Sequence, residues 1–210
     1  MKLSDLFFDR RCKLCSTIIQ EGAVCKECDG RLRNGMAFRK RSLEIDGKSI
    51  EAIYLFDYNN ADVKQLLFAL KHYADNDLFK YAAELYGACI PEGFEGGVCC
   101  CPRGAKGRRN YGYDQVEKPL KIMCKIHGGS LEYIKLLARR GFSKEQKNLT
   151  LSQRKINTYG KFKVIKKDIP KNILIADDVV TTGSTAVSCV REVLCAFPDT
   201  NISLVFLASR

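Results

Sequence analysis

The sequence predicts an α/β protein with a mostly parallel sheet and a small cysteine-rich unit at its N-terminus. Its 210 residues suffice for one main core with a small addition. From residue 50 onward, strand-like segments alternate with segments of helical periodicity, as in parallel sheets that helices cover. Four cysteines among the first 28 residues predict the separate unit. We expect this unit over residues 1–45 and the α/β domain over residues 46–210.

The four N-terminal cysteines form two Cys-x-x-Cys pairs, Cys12 with Cys15 and Cys25 with Cys28. Such a pair directs two sulfurs at one point, and two pairs joined by a short hairpin supply the ligands of a tetrahedral zinc ion. We expect a two-stranded ribbon between the pairs, with a turn at residues 21–22. Because four sulfurs leave no open coordination position, the predicted Zn²⁺ is structural. Two disulfides are the alternative, which would suit an oxidising compartment.

The compartment is indicated by what the sequence lacks. Its longest apolar run, over residues 202–208, is too short to span a membrane. Asp5 and Asp9 interrupt the short apolar stretch at the start, which is unlike a signal peptide. We therefore expect a cytoplasmic protein in which thiols stay reduced. The seven cysteines outside the two pairs are then expected to pack as thiols.

The first half of the α/β domain contains predicted strands and helices in alternation. Residues 50–57 are largely apolar and predict a buried strand. Asn60 can cap the next helix, in which apolar residues over 63–70 recur on one helical face. A second helix is expected over residues 77–90, followed by a β-prone run over 98–101.

The second half continues the same alternation. The expected helices cover residues 114–126, 150–157 and 184–195, and the expected strands cover 133–138, 162–165, 172–176 and 202–208. The helix at residue 150 begins with the spacing of a capping box. The run over 172–176 is apolar throughout, which is typical of a central parallel strand covered on both faces.

The most informative motif follows this central strand. Asp177 and Asp178 come directly after the apolar run, and a hydroxyl-rich turn then leads into a helix. The free N–H groups and the positive dipole end of a helix N-terminus favour phosphate. Hydroxyl groups over residues 181–185 add donors, and Gly183 lets the backbone come close. Because the two carboxylates suit the hydroxyls of a sugar, the motif predicts a pocket for a ribose 5-phosphate.

This motif resembles the binding motif for 5-phosphoribosyl 1-pyrophosphate (PRPP) in type I phosphoribosyltransferases. The resemblance implies that fold, with the 5-phosphate on the loop, the ribose hydroxyls on the acids, and Mg²⁺ beside the pyrophosphate. It also implies a pyrophosphate loop after an earlier strand, where Arg103 stands. The implied PRPP-binding residues are Lys71, Arg103, Asp177, Asp178, Val179, Thr181, Thr182, Gly183, Ser184 and Thr185, with Asp177 and Asp178 as the catalytic candidates.

Over nearly its whole length the chain also resembles the ComF family of competence-associated phosphoribosyltransferase-like proteins. The resemblance is carried by the four-cysteine ribbon, Phe56-x-Tyr58, Lys71, Pro102, the run Gly112-Tyr113-Asp114-Gln115, and Gln146, Leu149, Arg154 and Asn157. Tyr111 stands where the family usually has arginine, and Cys101 where it usually has valine. The resemblance implies handling of single-stranded DNA during natural transformation, with a competence helicase or other uptake proteins as partners.

The positive charge is concentrated in one segment. Residues 103–171 contain 19 basic and 5 acidic residues, a net charge of +14, whereas the whole chain carries +11. Such a concentration favours a polyanionic partner, and a merely solvated basic surface is the alternative. The candidates for contact with nucleic acid are Lys106, Arg108, Arg109, Arg139, Arg140, Lys144 and Lys147.

An enzyme of nucleotide salvage or synthesis that acts on a free base is the alternative function. The sequence shows no hood for recognising a base, because the ribbon occupies the usual place of one, and this favours the ComF-type role. An adaptor with a vestigial PRPP site is a third hypothesis, which the complete set of acids and hydroxyls disfavours. In the ComF-type role, PRPP is either a substrate or a regulatory ligand.

Overall fold

The computed structural model describes residues 9–103, 112–140 and 161–210. Within this part the helices are α1 (Lys26–Asn34), α2 (Ala61–His72), α3 (Asn76–Ala88), α4 (Glu117–His127) and α5 (Ser184–Ala196). The strands are β1 (Arg39–Ile45), β2 (Lys48–Asp57), β3 (Gly96–Cys100), β4 (Leu131–Tyr133), β5 (Leu137–Arg139), β6 (Phe162–Val164), β7 (Asn172–Val180) and β8 (Asn201–Ser209). The helix expected over 150–157 lies outside the described residues.

Side chains that cap the helices explain where three of them begin. Asn60 Oδ1 accepts a hydrogen bond of 2.8 Å from the Asp62 N–H at the start of α2, as the sequence predicts. Asp75 does the same for α3, and Asp114 Oδ1 accepts from the Val116 N–H just before α4. Each cap satisfies a backbone donor that has no partner within its helix, which contributes about 0.5–2 kcal/mol to stability.

Six strands form the main sheet in the order β1-β2-β8-β7-β3-β4. The β1–β2 pair is antiparallel, and the other four neighbouring pairs are parallel. This arrangement confirms the predicted α/β architecture with a mostly parallel sheet. Strands β5 and β6 form a separate antiparallel pair.

Apolar side chains cover both faces of the main sheet. One core packs α2, α3 and α4 against the sheet, with Leu66, Leu85 and Leu120 fully buried. The other core lies under α5, β5 and β6 and includes Val190 and Phe162. Helices on both faces remove the strands' apolar side chains from water, which explains why the central strand is apolar throughout.

The strand order creates a crevice between β3 and β7. The chain runs from β3 through α4 to β4 on one side, and from β7 through α5 to β8 on the other. The connections after β3 and β7 therefore leave in opposite directions, on opposite faces of the sheet. In open α/β sheets, ligands bind at such a switch point, outside the carboxyl ends of the strands.

The N-terminal unit is a short ribbon that contacts α3. One bridge joins Arg11 to Ile18, and Gly22 occupies the expected turn with a φ of +73°, which glycine adopts without strain. Ion pairs of 2.9 Å and 3.2 Å connect Arg10 to Asp77 and Lys13 to Asp75. The boundary between residues 45 and 46 remains a prediction, and β1, just before it, hydrogen bonds to β2 in the main sheet.

Two local expectations differ from the structure. The strand predicted to end at residue 176 continues to Val180, so Asp177 and Asp178 lie within β7. The strand expected over 133–138 is divided into β4 and β5, because the Leu136 N–H bonds back to the Ile134 carbonyl and turns the chain. Residues 1–45, expected as the N-terminal unit, also include α1 and β1, for which the sequence pattern gave no prediction. Among the described helices, none combines the length and apolarity of a membrane span.

Candidate functional site

The crevice between β3 and β7 brings together residues that are distant in the sequence. It has a volume of about 330 Å³. Its lining consists of Lys71, Cys101, Pro102, Arg103, Arg139, Asp177, Asp178 and Thr185. Five of these belong to the set predicted for PRPP: Lys71, Arg103, Asp177, Asp178 and Thr185. The crevice therefore combines cations, carboxylates and a hydroxyl in one accessible space.

Backbone hydrogen bonds hold the two acids of the crevice. Asp177 Oδ1 accepts from the Asp178 N–H, and Asp178 Oδ1 accepts from the Val179 N–H, both at 2.9 Å. On the buried side, the Tyr86 hydroxyl donates to the Asp177 carbonyl at 3.1 Å. These bonds satisfy polar groups at the carboxyl end of β7 and restrict the orientation of both carboxylates.

A polar network connects the two sides of the crevice. Arg103 Nη2, from the segment after β3, donates to Asp178 Oδ2 at 3.0 Å. Gln115 lies between them, because its amide nitrogen donates to Asp178 Oδ2 and its oxygen accepts from Arg103 Nη1. Gln115 is only 4% exposed. A hydrogen-bonded guanidinium of this kind is a strong binding group for a phosphate or pyrophosphate oxygen.

The environment of Asp177 changes its acidity. Burial raises the pKa of its carboxyl to about 8, the negative charge of Asp178 adds to the effect, and the Asp178 N–H and Arg103 partly oppose it. The raised pKa shifts the Asp177 carboxyl toward its protonated form near neutral pH. Such a group can donate as well as accept hydrogen bonds, and it ionises in a mildly alkaline solution or when a cation approaches.

The loop over residues 181–185 lies beside the crevice at the start of α5. Gly183 precedes the helix with a φ of +73°, the left-handed conformation that favours glycine. The hydroxyl residues of the loop are exposed, and the Thr182 hydroxyl donates to Ser184 Oγ at 3.2 Å. Asp177, residues 179–186 and Phe206 line a hollow of about 50 Å³. With α5 behind it, this hollow has the N–H and hydroxyl donors that suit a small anion.

Two of the predicted DNA contacts, Arg139 and Arg140, are among the residues that the structure describes. Arg139 lies in the crevice, where its Nε donates to the Pro102 carbonyl at 3.0 Å. Arg140 bonds to the Phe162 carbonyl at 2.7 Å and pairs with Glu192 at 3.3 Å. Lys106, Arg108, Arg109, Lys144 and Lys147 lie outside the described residues. Both described arginines are thus engaged within the chain.

The four N-terminal cysteines converge as their spacing predicts. The sulfurs of Cys12, Cys15, Cys25 and Cys28 all lie within 4.8 Å of one another, and the Cys15 and Cys25 sulfurs are 3.6 Å apart. Tetrahedral zinc with bonds of about 2.3 Å separates its sulfurs by roughly 3.8 Å, so the cluster fits this ion. Donors already face three of the sulfurs, including Arg31 Nη2 at 3.2 Å from Cys28 Sγ. Such donors favour thiolates, the form that binds metal.

The other cysteines are spread through the two cores. Cys89, Cys99, Cys101, Cys124 and Cys189 are buried, as expected of packed thiols. Cys195, which the helical pattern places with them, is exposed near the end of α5. Cys100 is partly buried, and its sulfur lies close to the carboxylates of Asp114 and Glu117. Those carboxylates already cap α4 and pair with Lys121, respectively.

No protein-family model and no curated protein matches this chain. The solved structures that are similar to it include two phosphoribosyltransferases. Orotate phosphoribosyltransferase from Aeropyrum pernix is 15% identical over 86% of this chain and 78% of its own, with a TM-score of 0.35. Helicobacter pylori xanthine-guanine-hypoxanthine phosphoribosyltransferase is 15% identical over 66% of this chain and 86% of its own, with a TM-score of 0.36.

Sequence reasoning missed two residues that shape the site. Gln115 belongs to the run that carries the ComF resemblance, but its role beside Asp178 depends on a contact 63 positions away. One local feature could have indicated this role: Gln115 directly follows Asp114, which caps a helix, in a run that is otherwise rich in tyrosine. Tyr86 lies 91 positions from Asp177 on the apolar face of α3, where a core role is the natural prediction.

Proposed function

We propose that the crevice binds PRPP and that the protein acts as a phosphoribosyltransferase-type protein. One observation carries this proposal: five of the predicted residues line a single crevice of about 330 Å³, namely Lys71, Arg103, Asp177, Asp178 and Thr185. PRPP needs anion-binding groups at both ends and hydrogen-bond acceptors for its ribose hydroxyls in between. These residues offer that distribution, with the loop over 181–185 on one side of the acids and Arg103 on the other.

Each group has a distinct task in this proposal. The loop hydroxyls and the N–H groups at the start of α5 bind the 5-phosphate. The Asp177 and Asp178 carboxylates accept hydrogen bonds from the ribose hydroxyls. Arg103 and Lys71 bind the pyrophosphate group, and Gln115 holds Arg103 in place. Mg²⁺, when bound with PRPP, would supply further positive charge to the pyrophosphate, and the two neighbouring carboxyl groups suit this hard cation.

The same residues can support group transfer. A nitrogen nucleophile forms a bond to C1 of the ribose while the bond from C1 to the pyrophosphate oxygen breaks. The electron pair leaves with pyrophosphate, and the proton that the nitrogen loses passes to the solvent. Arg103 and Lys71 stabilise the negative charge that grows on the leaving group. The carboxylates beside the ring stabilise the positive charge that develops at C1 and on the ring oxygen.

We further propose a ComF-type role, in which the protein handles single-stranded DNA in the cytoplasm during natural transformation. The net charge of +14 over residues 103–171 supports this role, because clustered cations attract a polyanion. A competence helicase or another uptake protein is the proposed protein partner. The four-cysteine cluster holds a structural Zn²⁺ in this proposal, because its four ligands leave no open position for chemistry.

Calorimetry with PRPP and Mg²⁺ tests the site. We expect the wild type to bind and the double variant Asp177→Asn/Asp178→Asn to lose at least tenfold in affinity. Asp168→Asn is the matched control, because Asp168 is an exposed acid before β7 and outside the crevice. If the wild type does not bind PRPP at millimolar concentration, the proposed function is wrong.

Two further measurements test the proposed biological role. Mobility shift with single-stranded DNA should show an affinity that falls steeply as salt rises, and no shift at low salt would refute DNA binding. A screen for pyrophosphate release across purines, pyrimidines and oligonucleotides tests transfer. Release with a free base, together with no DNA binding, would instead identify a nucleotide salvage enzyme.

A further inference from the structure

The side chains of two exposed arginines on β1 have no partner within the described residues. Neither the Arg39 nor the Arg41 guanidinium makes a hydrogen bond or an ion pair there. Arg103, in contrast, already bonds to Asp178 and Gln115. A strand with two uncompensated guanidinium groups on one face is a candidate for binding an anion, so their position relative to the crevice is informative.

Strand pairing places Arg39 in line with the hollow beside the loop. Arg39 pairs with Tyr54 on β2, and Tyr54 pairs with Phe206 on β8. Phe206 lines the hollow that residues 179–186 form. Side chains of directly paired residues lie on the same face of a sheet, and two strand spacings amount to about 10 Å. Arg39 therefore projects from the face that carries the hollow.

A second contact connects β1 to the loop. A Cβ atom on Gly183 would lie 3.8 Å from Leu43 Cδ1, so Leu43 packs beside the loop. Arg41 is two residues from Leu43, on the same face and about 7 Å further along the strand. Because β1 is antiparallel to β2, its first residues lie at the carboxyl edge of the sheet, where the loop also lies. Both arginines thus lie on the side of the loop that is opposite to Arg103.

The charge of a bound phosphate explains why cations are needed there. Residues 179–186 include no lysine or arginine, and Asp177 and Asp178 adjoin them. Hydroxyl and N–H donors bind phosphate oxygens but do not neutralise a dianion. We propose that Arg39 and Arg41 bind the 5-phosphate of the ligand on the loop and supply this missing charge. The proposal depends on the function proposed above, because it assigns two further residues to the same ligand.

Calorimetry on matched variants of the full chain tests this assignment. The double variant Arg39→Ala/Arg41→Ala should bind PRPP and ribose 5-phosphate roughly tenfold more weakly than the wild type. Its affinity for pyrophosphate with Mg²⁺ should stay within about twofold, because Arg103 and Lys71 bind that group. Lys40→Ala is the control, since Lys40 lies between the two arginines, on the opposite face, and pairs with Glu51 at 3.2 Å.

The outcomes separate this proposal from the function on which it depends. If the wild type binds PRPP and the alanine double variant binds it equally well, Arg39 and Arg41 do not contact the phosphate, and the PRPP site stands. If the double variant loses affinity for PRPP and for pyrophosphate equally, the two arginines act only through long-range electrostatic attraction. That result would also overturn the assignment. Arg39→Lys/Arg41→Lys keeps the charge, so it should recover part of the affinity. If the wild type does not bind PRPP at all, both proposals are wrong.

Discussion

Arg103 Nη2 lies 3.0 Å from Asp178 Oδ2, so a residue assigned to pyrophosphate is held by a residue assigned to ribose. Both side chains are mostly buried, with 23% and 20% of their surfaces exposed. Gln115 bonds to both of them. The network orients the guanidinium before a ligand arrives, which reduces the entropy that binding must overcome.

Replacing Arg103 tests the importance of this orientation. We expect Arg103→Ala to weaken binding of PRPP and of pyrophosphate by about 10- to 100-fold, because a charge-assisted hydrogen bond contributes about 1.5–3 kcal/mol. Calorimetry provides the measurement. Arg140→Ala is the control, because Arg140 pairs with Glu192 and is not among the residues that line the crevice. Unchanged pyrophosphate affinity in the Arg103 variant would remove this residue from the site.

Removing the amide of Gln115 tests the positioning role separately. Gln115→Leu keeps most of the side-chain volume but loses both hydrogen bonds to Arg103 and Asp178. We expect a smaller loss than for Arg103→Ala, about three- to tenfold in PRPP affinity. Combining both substitutions should cost little more than Arg103→Ala alone, since Gln115 acts through Arg103. Fully additive losses would contradict that coupling.

The pKa of Asp177, raised to about 8 by burial and by Asp178, predicts a pH dependence of binding. The affinity for PRPP with Mg²⁺ should increase between pH 6.5 and 8.5, because only the ionised carboxylate attracts the cation and accepts from both hydroxyls. Below the pKa, the increase should approach tenfold per pH unit. Asp177→Asn measured in the same buffers is the control, because titration of the ligand is common to both proteins. An equal slope in both would exclude Asp177 as its source.

Stability should respond to the same group in the opposite direction. The Asp177 carboxyl has its pKa raised from an ordinary value near 4 to about 8, so the folded state favours the protonated form. Its contribution to the free energy of unfolding is therefore greatest below about pH 4 and declines as pH rises to about 8. Urea unfolding at pH 5 and pH 8 should show a larger decline in the wild type than in Asp177→Asn. A larger decline in the variant would contradict this sign.

Metal removal tests the four-cysteine cluster. Elemental analysis of purified protein should find about one zinc per chain, and Cys25→Ser/Cys28→Ser should abolish it. The unfolding temperature of that variant should fall by about 5–15 °C, as expected for a loss of a few kcal/mol in a chain of this size. Cys195→Ser, at an exposed cysteine outside the cluster, should retain the metal. Protein purified without any metal would refute the assignment.

A glycine at the start of β3 gives a test of the fold itself. Gly96 has a φ of +154°, and a Cβ there would collide with the Asn172 carbonyl oxygen of β7. Gly96→Ala should therefore lower the free energy of unfolding by about 2–4 kcal/mol, because the two strands must separate locally. Gly129→Ala is the control, since a Cβ there meets nothing within 4 Å. Equal stability of the two variants in urea would show that β3 does not lie against β7 as described.

Much of the local structure follows from short-range patterns. The caps at Asn60 and Asp75, the apolar run of β7 and the helix after Gly183 depend on neighbours in the chain. Strand β1 could not be predicted in this way, because its first four residues are exposed and basic or polar. It is a strand because its backbone pairs with β2, which is a tertiary interaction.

The same distinction applies to the candidate site. Spacing alone indicates the four cysteine ligands and the acid pair with its hydroxyl loop, because these chemical groups are contiguous or nearly so. It does not indicate that Lys71 and Arg103 share a crevice with Asp178, or that Arg39 lies in line with Phe206. Those relationships follow from the strand order β1-β2-β8-β7-β3-β4. Burial of both sheet faces selects that order. The free energy of this burial depends on the whole assembled sheet, so the propensity of a single segment does not predict it.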